Sequence, residues 1–410
     1  MPSDTLTLIL AQERGLGLEA LTRQRTKAAV PFGGKYRIID FVLANCLHSG
    51  LRQVLVLTQY KSHSLHKHLR DGWSIFNPEL GEFITPVPPQ MREGQDWYGG
   101  PCDAIRQNRY LIERNRARQV LILHGDAIYR MDYAELVRAH RETGAAITVA
   151  TRTVSAPGTG RQAGVVLEAD ERIRAFLPPS DGVGNAEGER LETMGVYLFD
   201  KSLLLEALAE YERGISPDTD LALDLIAPRL AKHPVRAYRF GQTRGRVTPD
   251  RYWCDLASVD AYYQANMALL RADPPLDLYQ PDWIIHTYQG QYPPARTVPG
   301  PQSGTEGVFV NSMLAAGTVI SGGGVNHSIL FPQVRVEDGA IIEASILFQG
   351  VSVGAGAHLR HCIVEKDVKI APGDRIGFDP RRDRERFEVS PEGIVVVTGE
   401  DGSSSGLASW

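Results

Sequence analysis

The sequence predicts an α/β domain with a mostly parallel sheet, followed by a parallel β-helix. Short β-rich apolar runs alternate with helical stretches up to about residue 270, and a six-residue apolar period begins near residue 307. A segment rich in proline, glycine and aromatic residues lies between them. Because 410 residues exceed the usual size of one domain, we predict domains at 1–275 and 307–410, joined by an ordered linker at 276–306.

The first domain alternates strands with helices. Strands are expected at Thr7–Ala11, Arg52–Thr58, 120–125 and 145–151. The stretches IIDFVLANCLHSG and YAELVRAHRETG carry apolar residues at helical spacing and finish near glycine. This alternation predicts a mostly parallel sheet covered on both faces. Ligands of such sheets bind where the carboxyl ends of the strands meet.

The second domain shows a hexapeptide period. Such a period is typical of a parallel β-helix, in which each coil buries its apolar residue on the coil below. An antiparallel sandwich is the alternative that the pattern leaves open. The expected inward residues are Met313, Val319, Val325, Phe331, Ile341, Leu347, Val353 and Leu359, then, after a slip of one, Val364, Ile370 and Ile376.

Composition narrows the classes of function. An apolar content of 43%, a charged content of 23% and a net charge of −5 are those of a soluble globular protein without general attraction for nucleic acid or anionic membranes. We therefore expect neither as a partner. The N-terminus lacks the features of a signal peptide, and no apolar run reaches the length of a membrane span. The four cysteines show no metal-ligand spacing, which favours reduced thiols and a cytoplasmic location.

A set of motifs, in order along nearly the whole chain, resembles the glucose-1-phosphate adenylyltransferase (ADP-glucose pyrophosphorylase) family. The motifs are PFGGKYRIIDF, TQYKSHSL, WYGGPCDAIRQN, HGDAIYRMDY, MGVYLF and YWCDLAS, followed by the β-helix repeats. The resemblance implies a nucleotidyltransferase, Rossmann-like sheet and a left-handed β-helix. It also implies the formation of ADP-glucose and pyrophosphate from ATP and glucose 1-phosphate, in bacterial glycogen synthesis, by tetramers under metabolite control.

The resemblance assigns catalytic and metal positions. Phosphoryl chemistry needs cations around the spreading negative charge and a metal that aligns the two anions. Asp126 and Asp255 match the family's two Mg²⁺ ligands, and Lys27 matches the basic residue near the triphosphate. We therefore expect Lys27 and Asp126 to be catalytic, with Mg²⁺ as the cofactor of an active enzyme.

Further positions match the family's substrate contacts. The resemblance implies nucleotide binding, of ATP or ADP-glucose, by Arg14, Gly15, Gln59, Asp103 and Gln107. It implies binding of the glucose 1-phosphate sugar by Gly164, Met194 and Tyr197.

Two segments depart from the family where phosphate is handled. Family enzymes carry a GGxGxRL loop after the first strand, whose glycines let backbone N–H groups approach the triphosphate. Here Gln12 and Glu13 replace two glycines, and Gly17 replaces the arginine. Family enzymes also carry an EKP segment that binds the sugar phosphate, where this chain has Leu177 and Pro178, followed by Pro179.

These departures favour one hypothesis and leave others open. Loss of one charge-assisted donor to a developing anion typically costs about 3 kcal/mol, so we expect a catalytically weak or inactive regulatory subunit that assembles with an active paralogue. An active enzyme is the alternative, as a homotetramer or heterotetramer, and would need compensating cations. A related enzyme for another sugar phosphate is a second alternative, and a β-helix acyltransferase has no supporting histidine motif. The candidate compensating cations are Arg14, Arg23, Arg25 and Arg106.

Overall fold

A mixed sheet of nine strands organises the first part of the computed structural model, which describes residues 4–91, 97–154, 162–179, 190–211, 220–241 and 250–399. The strands of this part are β1 Thr5–Ala11, β2 Pro31–Phe32, β3 Tyr36–Arg37, β4 Gln53–Thr58, β5 Phe83–Val87, β6 Gln119–His124, β7 Ile128–Tyr129, β8 Ile147–Val154, β9 Gly164–Leu167, β10 Ile173–Leu177, β11 Arg190–Asp200, β12 Val235–Arg239 and β13 Trp253–Cys254. The pairs β2–β3 and β7–β13 lie outside the nine-stranded sheet. The helices are α1 Glu19–Thr22, α2 Ile38–His48, α3 His63–Gly72, α4 Pro101–Gln107, α5 Arg109–Arg114, α6 Tyr133–Thr143, α7 Lys201–Tyr211 and α8 Val259–Ala268.

Parallel strands form the centre of the sheet. The order β6-β1-β4-β5 is parallel throughout, and β12 pairs in parallel with β8. Every residue of β1 is buried, as expected for a strand covered by helices on both faces. The prediction of a mostly parallel sheet is confirmed, with antiparallel pairing where β11 meets β6, β8 and β9.

Strand β11 is long enough to extend past the end of its neighbour. Its second half pairs with β6, with Val196 opposite Leu123. Its first half lies beyond the carboxyl end of β6 and pairs with the end of β8, with Glu192 opposite Arg152. The carboxyl ends of β1, β4, β6 and β8 therefore share one edge of the sheet with the first residues of β11.

The second part is a three-sheet parallel β-helix, as predicted. Its elements are β14 Arg296–Val298, β15 Val308–Val310, β16 Met313–Leu314, β17 Val319–Ser321, β18 Gly324–Asn326, β19 Ile329–Leu330, β20 Arg335–Val336, β21 Ile341–Glu343, β22 Ile346–Leu347, β23 Ser352–Val353, β24 His358–Arg360, β25 Cys362–Val364, β26 Lys369–Ile370, β27 Arg375–Ile376, α9 Pro380–Arg386, β28 Glu388–Val389 and β29 Val395–Val397. Strand β14 lies inside the predicted linker and pairs with β17.

Four residues of the predicted apolar series lie outside the apolar core of the β-helix, namely Met313, Val319, Phe331 and Ile341. Ile341 is 40% exposed, whereas its neighbour Ile342 is fully buried. Equivalent residues of successive coils, Val319, Arg335 and Ser352, lie 16 and 17 residues apart. Because such a coil is shorter than three exact hexapeptides, a strict period of six drifts by one or two residues per coil.

The linker is anchored to the first part of the chain. Trp283 is buried, donates its indole N–H to Asn45 at 3.0 Å and stacks on the His48 ring. Thr287 donates to the buried Asp40 carboxylate at 2.7 Å. Across the junction, Arg25 forms an ion pair with Glu365 of the β-helix at 2.9 Å. None of the described helices combines the length and the apolar character that crossing a membrane requires.

Candidate active site

Lys27 lies at the centre of the sheet edge. Its ammonium donates to the Asp126 carboxylate at 2.8 Å and to the backbone carbonyl of Asp255. Its side chain packs against Gly15. A Cβ added to Gly15 would lie 2.9 Å from the Lys27 Cβ. Gly15 also has a φ of +79°, a conformation that favours glycine. The structure thus brings together three predicted positions, Gly15, Lys27 and Asp126, with Asp255 beside them.

Lys27 and Asp126 each stabilise the charged form of the other. Burial disfavours the ammonium, but the Asp126 carboxylate and its hydrogen bond outweigh burial and raise the pKa of Lys27. Burial also disfavours the Asp126 carboxylate, yet Lys27 and then His124 lower the pKa of Asp126. Both groups are therefore ionised near neutral pH.

A cavity of about 350 Å³ opens at this edge of the sheet. Four of its lining residues are carboxylates, and Lys27 is the only lysine or arginine among the described residues that line it. The cavity is therefore rich in negative charge for a site that would bind anionic substrates. The lining residues are Glu13, Lys27, Pro101, His124, Asp126, Gln162, Pro179, Asp220, Leu221, Leu223 and Asp255.

The two predicted metal ligands share this cavity. Asp126 follows the end of β6, while Asp255 follows β13, whose residue Cys254 pairs with Ile128 on β7. In the described part of the chain, no group of three or more histidine, cysteine or acidic residues is arranged to hold a metal. Mg²⁺ commonly binds through one or two carboxylates and completes its shell with water and substrate phosphate. The oxygen donors of Asp126 and Asp255 therefore fit Mg²⁺.

The loop after β1 places Gln12, Glu13 and Gly17 at or near the cavity edge of the sheet. Glu13 lines the cavity. The Gln12 side chain is buried, and its amide has no hydrogen-bond partner among the described residues. Gly17 has a φ of +91°, donates to the Glu19 carboxylate at 2.9 Å and accepts from the Val259 N–H. The backbone at the position of the family's arginine is thus held in a conformation that disfavours a side chain.

Three residues predicted to contact nucleotide, Gln59, Asp103 and Gln107, form hydrogen bonds within the protein. The Gln59 amide bonds to the N–H of Tyr98 at 2.6 Å and to its carbonyl at 3.2 Å. The Asp103 carboxylate accepts from the Gly99 N–H and the Gln107 amide, both at 2.8 Å. These bonds build the segment around α4, which reaches the cavity through Pro101.

The remaining residue predicted on the nucleotide side is exposed. Arg14 holds its guanidinium 5.6 Å from the centre of the Tyr60 ring. It is absent from the described cavity lining.

The residues predicted on the sugar side are not among the described residues that line the cavity. Gly164 begins β9 opposite Glu192, and Met194 is buried on β11. Tyr197 is fully buried with its ring centre 6.3 Å from that of His124, and burial raises its pKa. These residues form the support behind the pocket.

The second departure segment contributes one residue to the cavity. Leu177 ends β10, Pro178 is exposed, and it is Pro179 that lines the cavity. Of the three residues of this segment, Pro179 is the one that reaches the described cavity.

Three of the four candidate compensating cations are engaged elsewhere. Arg106 pairs with Asp103 at 2.7 Å. Arg25 pairs with Glu365, and Arg23 with Glu388, both on the β-helix side of the junction. These arginines therefore stabilise the scaffold and the junction.

Three polar lining residues were missed by the sequence reasoning. Asp220 accepts from the backbone N–H groups of Ala222 at 2.7 Å and Leu223 at 3.0 Å, and so caps the π-helical turn Leu221–Ile226. Gln162 precedes β9. His124 ends β6, and a polar residue at the carboxyl end of a buried parallel strand was the signal that could have identified it.

Known proteins are similar to this chain over both of its parts. Residues 6–272 match the family described as nucleotidyl transferase, and residues 293–397 match that described as GlmU-like, C-terminal hexapeptide. The chain is 50% identical to glucose-1-phosphate adenylyltransferase 2 of Vibrio cholerae, over 96% of this chain and 97% of the relative. It is 51% identical to the protein of that name from Vibrio parahaemolyticus, over 96% and 98%. It is 45% identical to glucose-1-phosphate adenylyltransferase 1 of Alkalilimnicola ehrlichii, over 97% and 94%.

Proposed function

Because the chain belongs to the nucleotidyl transferase family, and within it to the glucose-1-phosphate adenylyltransferases, we propose that it is a catalytically weak regulatory paralogue that binds substrate and assembles with an active subunit. The observation that carries this proposal is the charge of the cavity. Glu13 adds a carboxylate to those of Asp126, Asp220 and Asp255, against the single described ammonium of Lys27.

The retained residues define what the site can still do. Lys27 fixes Asp126 by an ion pair and fixes the backbone at Asp255, so both carboxylates stay directed to one cavity. These two carboxylates would hold Mg²⁺, which when bound aligns two anionic substrates and offsets their charge. Lys27 lies where it can approach a phosphate oxygen. The site therefore keeps the groups that position substrates.

The lost residues limit the rate. A preorganised donor to charge that develops in the transition state is worth about 3 kcal/mol, roughly a hundredfold or more in rate. Gly17 offers no side chain and Pro179 offers no backbone N–H, while Glu13 repels phosphate. Losses within one site are often less than additive, and even one such loss makes the chain a poor enzyme beside a family member with both segments intact.

Assembly is the second half of the proposal. The chain is titrated into a catalytic paralogue at fixed concentration, and ADP-glucose formation is measured together with mass by light scattering. The proposal requires a mixed oligomer whose activity per catalytic subunit differs from that of the paralogue alone. The control is a chain with Arg25→Gln and Glu365→Gln, which loses an ion pair at the junction of the two parts. Absence of a mixed species would contradict the proposal.

A second candidate function is active glucose-1-phosphate adenylyltransferase. It is favoured by the joint presence of Lys27, Asp126 and Asp255 in one cavity and by relatives that carry that name. It requires robust turnover by the pure chain, with Mg²⁺, ATP and glucose 1-phosphate as the only additions.

A further inference from the structure

His124 is a cavity residue to which the catalytic and metal assignments give no role. It ends β6, and its half-buried side chain lines the cavity together with Asp126, two residues further along. Its partner on the neighbouring strand β1 is Leu10, so the imidazole lies at the centre of the sheet edge. The contacts of the ring show whether it serves the protein or a ligand.

The protein gives the His124 Nε2 atom no hydrogen-bond partner. This atom is buried and bonds to none of the described residues. Four carboxylates line the same cavity, and a carboxylate readily accepts from an imidazole, yet none of these four accepts from Nε2. Folded proteins leave few buried polar atoms without a hydrogen bond, and an exception often marks the place of a ligand or an ordered water. The unpartnered Nε2 therefore favours a role toward a ligand.

The fold makes room for this ring. Gly195 on β11 has a φ of +71°, within a stretch where the pairing of β11 with β8 shifts register between Thr193 and Tyr197. A Cβ added to Gly195 would lie 2.8 Å from the Cγ atom of His124. Any other residue at this position would therefore displace the imidazole. Irregular strand pairing of this kind is frequent beside functional sites.

The cavity offers an anion few hydrogen-bond donors. Among the described lining side chains, only Lys27, His124 and Gln162 carry N–H groups. The Lys27 ammonium already donates to Asp126 and to the backbone carbonyl of Asp255. Gln162 offers a neutral amide. Besides this amide, the Nε2 of His124 is thus the donor that no described residue engages.

A phosphoryl oxygen suits this donor better than a metal ion does. A hydrogen bond to a charged oxygen is roughly twice as strong as one between neutral groups. Mg²⁺ takes oxygen ligands and keeps several waters, so the cation expected at Asp126 and Asp255 has no use for a ring nitrogen. Rotation about the terminal torsion of histidine is soft, so the ring can turn a nitrogen toward a bound ligand.

We propose that the His124 imidazole donates from Nε2 to a phosphoryl oxygen of the substrate bound in the cavity. It thereby replaces part of the phosphate contacts that Glu13, Gly17 and Pro179 do not supply. Unlike the four candidate arginines, His124 lies in the described cavity lining. The phosphoryl group belongs either to a nucleoside triphosphate or to a sugar 1-phosphate, and the tests separate these sources. The inference rests on the proposed function in one respect, because both take the cavity to bind phosphorylated substrates.

The first test is calorimetric titration of the full chain with ATP and, separately, with glucose 1-phosphate, both with Mg²⁺ and at one fixed pH. His124→Ala is expected to weaken at least one ligand about tenfold or more, as for loss of a hydrogen bond to a charged group. The ligand that is weakened identifies the source of the phosphoryl group. His124→Gln is expected to recover most of the lost affinity, because the longer glutamine places an amide N–H near the position of Nε2.

The matched control is His358→Ala, which removes a histidine from β24 of the β-helix and should bind both ligands like the wild type. Equal affinities of the wild type and His124→Ala for both ligands would overturn the inference. Tighter binding by His124→Ala would also overturn it, because the imidazole would then only fill the cavity. Absence of binding of either ligand to the wild type would have the same consequence.

The second test needs no variant. Crystal structures of the wild-type chain are determined with Mg²⁺ and each of the two ligands. At least one structure is expected to show a phosphoryl oxygen about 3 Å from the Nε2 atom of His124. Ligands bound in the cavity without a hydrogen bond to His124 would overturn the inference.

The two proposals fail in different ways. Robust turnover by the pure chain contradicts the regulatory proposal and leaves the dependence of binding on His124 intact. Weak turnover together with binding that does not depend on His124 does the reverse.

Discussion

The two sides of the cavity differ in what holds their residues in place. On the metal side, Lys27 binds Asp126 and the Asp255 backbone, and its side chain packs on Gly15, so each residue also stabilises the fold. On the phosphate side, Glu13 and Pro179 reach the cavity from loops, where a substitution disturbs little packing. The comparison teaches that the retained residues of this cavity also stabilise the fold, whereas Glu13 and Pro179 occupy positions that the fold constrains little.

The largest expected effect is a loss of stability on substitution of Lys27. Lys27→Gln leaves the Asp126 carboxylate without its partner, and loss of one member of a buried pair typically costs 3–5 kcal/mol, which the partial exposure of Asp126 reduces to about 3. Urea unfolding measures the change, with Lys67→Gln on the exposed face of α3 as the control. A free energy of unfolding equal to that of the wild type would show that Lys27 has no structural role.

Repair of the phosphate side should have the next largest effect, on rate. The double variant Glu13→Gly with Pro179→Lys removes a repulsive carboxylate and adds a cation to the cavity, so ADP-glucose formation is expected to rise about a hundredfold, the worth of one charge-assisted contact. The matched control is Glu13→Gly with Pro178→Lys, because Pro178 is exposed and does not line the cavity. Equal rates for the two lysine positions would contradict the assignment of Pro179.

The pH dependence of the unfolding free energy should also differ between variants on the metal side and variants on the phosphate side of the cavity. Lys27 lowers the pKa of Asp126 below 3.8, so its contribution is present above pH 3.8 and is lost as the pH falls through the lowered value. The difference in unfolding free energy between wild type and Asp126→Asn should therefore shrink on acidification below pH 3.8. A difference that stays constant with pH would contradict this. Glu13→Gln serves as the comparison from the phosphate side.

The smallest expected effect is the loss of stability on substitution of Gly17. Because its φ is +91°, Gly17→Arg should cost about 1–2 kcal/mol of stability. Gly17→Ala measures the backbone cost without the charge. Tighter ATP binding by the arginine variant than by the alanine variant would show that an arginine at position 17 can still contact the triphosphate. Equal binding by the two variants would show that a side chain at this position does not reach it.

The sequence predicted the architecture better than the direction of side chains. Strand β1 begins two residues before its predicted start, and β14 lies in the predicted linker. Ile341 and Ile342 are both apolar, so only the length of the coils decides which is buried. The alternation of strands with helices and the repeat are visible as periods, which is why they could be predicted.

The site was predictable where motifs are local and less so where partners are distant. Lys27 and Asp126 were identified from motifs, and the structure brings them together. The nucleotide contacts of Gln59 and Asp103 stay predictions, while their hydrogen bonds to Tyr98 and Gly99 join segments that no local pattern relates. The pairing of Arg25 with Glu365 spans 340 positions, and no local pattern indicates it.

The rate of ADP-glucose formation by the pure chain, with saturating ATP, glucose 1-phosphate and Mg²⁺, tests the central claim most directly. At equal concentration, the account predicts a rate at least a hundredfold below that of a catalytic paralogue, because the donors of the phosphate side are missing. A rate within tenfold of the paralogue would contradict it.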